Sequence, residues 1–412
     1  LSALCFAASL AAGEYAFGLL AYLVAFELVG ARGTIGERAR ALVPALALAA
    51  TYLLLRSGLG YGVRGSGMYV GPGEPLRFLA QVGTHVPVLG ASLLLGVPAA
   101  WFQAGPPWRD PAIASGLLTP RAFDLVPSWQ STHVALGMLA LLGAVLALRW
   151  LAPPDRTDLA ACRWLTAGSL LSLLSAAGTD PSPRLLGAPA LGACALLAAL
   201  FVRCLPALTN RPRRGLAGLC VAIALVHGAL AAHRAFASTT ALRQETEAAR
   251  RWALQAEIPT QGAGVDVVIV SASDFATAAN LPWVRLIHGL PLPRSYRRLS
   301  GALQAHDLHR VDAHSLELEV LASDLRGAFA GSIYRPSEQG FVAGQRVELP
   351  RMTVDLLAVA DGNPWRLRFT FERALDDPAL LFLHARPEGL RRFVPPPLGA
   401  TLRLPLASAP RP

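Results

Sequence analysis

The chain has 412 residues, of which 53% are apolar and 16% charged, where soluble domains carry roughly 25% charged residues, and its mean hydropathy is +0.42. This balance argues against a soluble protein and for an integral membrane protein with one polar domain. The net charge of +10 comes from 37 arginines and no lysine, which with the abundant Ala, Gly and Pro points to a high-GC bacterium; no arginine cluster alternates with stacking aromatics, so nucleic acid is not an expected partner.

Six or seven apolar segments crowd residues 1–232, and a polar, cysteine-free region fills 233–412. The first run, 1–29, is long for one span and is broken at Gly13 and Glu14, which predicts a tip between two short helices. A carboxylate at mid-membrane is costly, so Glu14 is expected to face a cavity, a partner or the outer surface, while Glu27 snorkels to the opposite interface. Residues 41–55, 133–148, 164–178, 186–202 and 215–232 are each long enough, or nearly so, to cross a hydrocarbon core, and none has an acidic residue.

Three short links carry arginines: 31–40, 149–163 and 203–214. Short arginine-rich links stay cytoplasmic, so all three are expected inside, with the 179–184 turn and the C-terminal region outside. That parity requires 76–101, interrupted by Gly83, His85, Pro87, Gly90, Gly96 and Pro98, to lie at the outer interface or re-enter there; 56–132 is then one external region. A full span at 76–101 is the competing topology, and it places the first arginine link outside.

Within the predicted external parts, 61–72 (YGVRGSGMYVGP) is a glycine-rich loop with Arg64 between Tyr61 and Tyr69, suited to sugar or lipid-phosphate contact. In the turn 178–184 two prolines stiffen the backbone; Arg184 offers a bidentate donor to phosphate, or pairs with Asp180. His85 and His133 are candidate acid or base groups near this surface. The five cysteines, all before residue 233, show no ligand spacing and read as packing residues. The chain starts at Leu1 without methionine or signal peptide and is expected to be a fragment.

After a polar helix at 237–257, strands are predicted at 265–270, 315–321, 352–359, 365–371, 380–384 and 401–404, with a hairpin at Asp361-Gly362. The expected fold class is thus a polytopic α-helical membrane protein with a C-terminal, mainly β (α+β) domain: a β-sandwich or open barrel packed on one helix. Ser271, Ser273 and Asp274 follow the first strand without a GxSxG motif, and His288, His306, His309, Asp312 and His314 match no standard metal spacing. No cofactor and no metal site is therefore expected, and the domain reads as a binding or packing module.

The order of a short apolar helix, a Gly-Glu-Tyr tip, a second apolar helix, an arginine link, a span and a long external loop resembles the latter half of the GT-C superfamily of membrane glycosyltransferases. Leu10 to Glu14 (LAAGE) is similar in position to the Ser-Lys-Glu or Thr-Lys-Gly tip of many members, without its lysine, and Arg184-Leu185-Leu186 resembles an arginine-leading helix start. The resemblance covers 1–232 and implies transfer of a sugar from a polyprenyl-phosphate carrier on the outer face of a bacterial inner membrane. It implies that Glu14, Arg64, Asp180 and Arg184 lie near the carrier, with Asp180 orienting Arg184 and Glu14 acting as a hydrogen-bond acceptor or metal-side ligand; the general base is expected upstream of Leu1. The alternative is a non-catalytic membrane protein whose external β-domain binds a cell-envelope partner.

Overall fold

The structure is a computed structural model that describes residues 2–61, 69–71, 73–104, 129–151, 157–209, 214–259, 264–272, 275–302, 305–320, 339–386 and 389–405. The chain divides into a helical unit, up to Ala235, and a second unit from Phe236 onward.

In the helical unit α1 (Ser2–Ala12) and α2 (Phe17–Ala25) flank Gly13 and a 3₁₀ turn at Glu14–Ala16, so the expected tip is present, and a π-helical turn (Phe26–Gly30) extends α2. Helix α3 (Ile35–Gly58) starts at a capping box: Glu37 N–H donates to Thr34 Oγ1 (3.3 Å) and Thr34 N–H to Glu37 Oε2 (2.8 Å). There follow α4 (Pro75–Leu95), α5 (Trp101–Ala104), α6 (Trp129–Leu151), α7 (Thr157–Ala176) and α8 (Gly187–Cys204), the last after a 3₁₀ turn at Pro183–Leu186. Helix α9 (Arg214–Ile223) then passes through a π-helical segment (Ala224–Leu230) into α10 (Ala231–Gln255). Five described helical runs are long and apolar enough to cross a membrane: Ile35–Gly58, Pro75–Leu95, Trp129–Trp150, Pro183–Leu208 and Arg214–Gln255.

The ends of the unit differ in charge. Phe26 meets Trp164 edge-on (5.3 Å), and Arg203 lies over the Trp150 ring (4.6 Å), so the helix ends that lead into the links after α2, α6 and α8 lie at one end. At the other end Gly18, near the start of α2, faces Ala188, Ser172 and Ser175.

Segment 76–101 departs from its expected broken form in one respect. Helix α4 runs unbroken through Gly83, His85, Pro87 and Gly90 and stops only at Gly96, whose φ of 67° is the left-handed conformation glycine adopts without strain. It nevertheless turns back. Helices α4 and α6 run parallel: Gly137 meets the Pro87 carbonyl, Gly90 meets Leu141, and Leu94 packs with Ala144, Ala147 and Leu148. By α5 the chain has returned to the start of α6, where Trp129 Nε1–H donates to the Trp101 carbonyl (2.6 Å). The segment is therefore a hairpin whose first arm is a 21-residue helix.

In the second unit β1 (Asp266–Ser271), α11 (Phe275–Ile287) and β2 (Ser295–Ser300) form a crossover, and β1 pairs in parallel with both β2 and β8 (Leu380–Arg386). With β9 (Gly389–Arg392) they make a sheet of order β2-β1-β8-β9. A second, antiparallel sheet has the order β10-β3-β4-β7-β6-β5, from β3 (His306–Arg310), β4 (Ser315–Val320), β5 (Arg346–Leu349), β6 (Met352–Ala360), β7 (Asn363–Phe371) and β10 (Thr401–Leu404). Val268, Val270 and Phe382 meet Leu308, Leu316, Leu318 and Phe369 between the sheets, while Val267, Ile269 and Leu383 pack against Trp252 of α10 and Leu281 of α11.

The result has three layers: helices, a mixed sheet and an antiparallel sheet. The expected sandwich is present, but the single helix becomes two and one sheet is partly parallel. Parallel strands need a crossover helix, and Pro282 inside α11 hid it. The Asp361-Gly362 hairpin is present, both residues having positive φ (50° and 76°), as a type I′ turn requires.

Candidate functional site

Of the polar groups singled out by sequence, Glu14, His85, Asp180 and Arg184 lie at the end of the helical unit opposite the helix ends that lead into the arginine links. Glu14 is paired: its Oε1 lies 2.8 Å from Arg56 Nε, in the last turn of α3. The turn before Arg184 is pinned to 69–71, where Val70 N–H donates to the Gly178 carbonyl (2.8 Å) and Tyr69 bridges Thr179. Thr179 and Pro181 are buried, Asp180 is half-buried, and Arg184 is exposed in the 3₁₀ turn that opens α8. Among the described residues Asp180 and Arg184 form no ion pair with each other, and neither pairs with Glu14. The expected orientation of Arg184 by Asp180 is thus absent, because the braced turn buries one end while Arg184 projects from the other. Arg64 lies outside the described residues.

Beside this turn sits a buried aromatic group. His85 Nδ1–H donates to the Ala177 carbonyl (3.0 Å), so this histidine is anchored to the backbone of the same turn. The Phe102 ring lies edge-on to both His85 and His133, with 6.1 Å between centroids in each case, and Trp129 lies 5.8 Å from His133. His133 is 0% exposed, and among the described residues neither ring nitrogen has a hydrogen-bond partner. The tip of the α4 hairpin is closed by the last helix. His227 Nε2–H donates to the Leu94 carbonyl (2.9 Å), and Arg234 donates to the Gly96 carbonyl while its guanidinium lies 5.9 Å from the Trp101 ring. The last carbonyls of a helix have no partner within it, and side-chain donors there satisfy them, the Arg234 guanidinium also meeting the negative end of the dipole. Sequence gave no sign of these caps, since His227 and Arg234 lie more than a hundred residues from their partners.

In the second unit the histidines are dispersed: His288 accepts from Arg250 (3.2 Å), His306 pairs with Ser300 (2.7 Å), His309 with Thr401 (3.1 Å), and His314 donates to the Phe371 carbonyl (3.2 Å). No group of three or more His, Cys, Asp or Glu among the described residues is arranged to hold a metal. Ser271 is buried, and Ser273 and Asp274 lie outside the described residues.

Two buried carboxylates organise the charge of this unit. Glu317, 5% exposed, takes Arg366 on one oxygen and Arg368 on the other (2.6 Å each). Asp266 heads β1 and accepts from Arg294 (2.5 and 3.2 Å) and Ser295 (2.7 Å). Burial pushes both carboxyls up in pKa, but the arginine hydrogen bonds and charges outweigh it and hold both below the ordinary carboxylate value. His384, 1% exposed in β8, is pushed down to about 4 by burial, with Arg386 adding to the shift. The sequence signal for Asp266 was a single charge heading an otherwise apolar strand.

Comparison with protein-family models, curated proteins and solved structures gave no significant match.

Proposed function

We propose that this protein acts as a GT-C-like membrane glycosyltransferase whose helical unit binds the phosphate of a polyprenyl-phosphate sugar carrier at the outer face of a bacterial inner membrane. The arginine-bearing links form the cytoplasmic end in this reading, in keeping with the retention of short basic links inside. Helix α9 starts at that end and leads the C-terminal unit to the outer side.

The observation that carries the reading is Arg184: an exposed arginine, without an ion pair among the described residues, on the first turn of an apolar helix and behind a turn anchored to 69–71. A guanidinium there joins the positive end of a helix dipole, so a phosphate at the lipid surface meets two favourable fields at once. As the sugar leaves its carrier, negative charge builds on that phosphate, and the same donors then stabilise the transition state. Arg56, neutralised by Glu14, takes a supporting part.

The test is binding of a short-chain polyprenyl phosphate to the protein in nanodiscs, with sugar transfer measured alongside. Arg184→Ala should weaken carrier binding at least about tenfold, the loss of one charge-assisted contact, and Arg184→Lys should restore part of it. Unchanged binding in Arg184→Ala would remove this site. If envelope components bind instead, and only through residues 236–412, the non-catalytic binding reading takes its place.

A further inference from the structure

The two sheets of the second unit part at the amino ends of β1, β2 and β8, where a small, partly enclosed cleft has Asp266, Ser295, Arg297, Arg351, Glu372 and Arg373 at its polar rim and Val268, Phe371 and Leu380 as its apolar floor. Its charges are not matched one to one. Arg294 already forks both oxygens of Asp266, yet Arg351 Nη1 and Arg373 Nε also point at this carboxylate, each at 3.4 Å. Those distances are long for charge-assisted bonds. Arg373 has a second partner in Asp377 (2.6 Å), whereas the second partner of Arg351 is Glu372, 3.7 Å away and 67% exposed. Arg297 reaches the same cleft and donates to the Pro350 carbonyl. Four arginines (294, 297, 351 and 373) thus face three acids (266, 372 and 377), a surplus of one positive charge.

The second observation is backbone strain. Pro350 and Arg351 form the two-residue turn between β5 and β6, and Arg351 has φ 66°, a conformation that this turn position reserves for glycine or asparagine. An arginine kept there holds a strained backbone, and what its side chain gains in the fold is long contacts, 3.4 Å to both oxygens of Asp266 and 3.7 Å to Glu372, while it stays 40% exposed. Strain that local bonding does not repay points to a use for the side chain.

We infer that Arg297, Arg351 and Arg373 form a binding site for a phosphate group, with Asp266 as the positioning residue for Arg351 and Arg373 and the Pro350 carbonyl holding Arg297. Three donors from three different elements fit the tetrahedral array of phosphate oxygens better than a planar carboxylate, which one arginine satisfies by itself. The group can come from a soluble phosphate ester or from a lipid headgroup. This inference is independent of the carrier site at Arg184.

The experiment uses the full chain in phosphatidylcholine nanodiscs, titrated calorimetrically with inorganic phosphate and with glycerol 3-phosphate, then repeated in nanodiscs containing phosphatidylglycerol. Saturable binding is expected, weakened at least about tenfold by Arg351→Gly, which relieves the strained turn and so keeps the fold, and by Arg297→Gln. Loss of the soluble-ligand signal in phosphatidylglycerol nanodiscs, restored by Arg351→Gly to the level of that variant in phosphatidylcholine, assigns the site to a lipid headgroup. Absence of saturable binding up to roughly 10 mM in both kinds of nanodisc, or equal binding by wild type, Arg351→Gly and Arg297→Gln, would overturn the inference and leave the cluster as a structural ion-pair network.

Discussion

The two units solve the same problem, how to bury polar groups, by different means. In the helical unit the described ion pairs are Arg56 with Glu14 and Arg77 with Glu74, both at helix ends, and the interior is held by close backbone contact. A Cβ on Gly137 would fall 1.9 Å from the Pro87 carbonyl oxygen, and one on Gly192 equally close to that of Leu165. In the second unit buried carboxylates are instead wrapped by arginines, as at Asp266 and Glu317. An apolar surround gives little driving force for helix association, so small residues and van der Waals contact must supply it; a domain with a core of its own can carry buried charge.

Substitutions that exchange these strategies should separate the units. The largest effect is expected from Gly137→Ala, which drives a methyl into backbone and should cost about 3 kcal/mol, while Gly143→Ala on the same helix, with nothing within 4 Å, should be neutral or slightly stabilising. Thermal unfolding in detergent reads both; equal midpoints would show that α4 and α6 are not in this contact.

Next is Asp266→Asn, which leaves its arginines without a counter-charge and should cost the second unit about 3 kcal/mol, read as faster proteolysis of that unit. Retained protection would mean that the arginines find other partners.

Third, pH acts on the second unit through His384. Its folded pKa, about 4, lies below the unfolded value near 6.5, so its contribution is full above pH 6.5 and falls as the pH drops toward 4. The expected loss is about 2 kcal/mol by pH 5, because the unfolded chain takes up a proton there that the folded one refuses. His384→Leu should flatten this part of the stability curve. The depressed carboxyls at Asp266 and Glu317 act in the same direction but lower, their contribution being present above their unfolded values of 3.8 and 4.5 and lost as pH falls through their folded values.

Smaller effects belong to the hairpin caps. His227→Ala and Arg234→Ala should each loosen the end of α4 by about 1 kcal/mol, seen as faster amide exchange around Gly96. The smallest is Glu14→Gln, below about 1 kcal/mol, since that pair is partly solvated.

Much of the helical unit was legible because its signals are local. The Gly13-Glu14 tip, the arginine links and the apolar runs are all written in neighbouring residues. The capping box Thr34 to Glu37 was equally local, and it moves the start of the third helix several residues before the apolar run at 41–55. Gly90 and Pro87 looked like breaks in 76–101 but are packing devices, as the seating of Leu141 against Gly90 and of Gly137 against the Pro87 carbonyl shows, while Gly83 is carried within the helix beside open space. Only Gly96 stops the helix.

Long-range partners were not legible: Arg56 for Glu14, His227 and Arg234 for the hairpin tip, and the arginines around Asp266 each come from distant sequence. Strand β2 (SYRRLS) was missed because its apolar content is low and its inward polar groups are satisfied only by tertiary contact, as Ser300 is by His306. Of the candidate site residues, Glu14, Asp180 and Arg184 fall at one end of the helical unit, but Asp180 and Arg184 form no ion pair with each other there.

The π-helical segment Ala224–Leu230 has a consequence for the phase of the long helical run Arg214–Gln255, 42 residues in all. A π-bulge stores an extra residue in one wide turn, so the stretches before and after it keep the faces they would have in an uninterrupted helix. Removing one residue from within 224–230 should therefore be absorbed, with Cys220 still buried below and Arg234 still aimed at Gly96 above. The same deletion at 231–233 has no wide turn to draw on. It would swing Arg234 by about 100° around the axis, away from Gly96, and leave the end of the hairpin with a bare carbonyl.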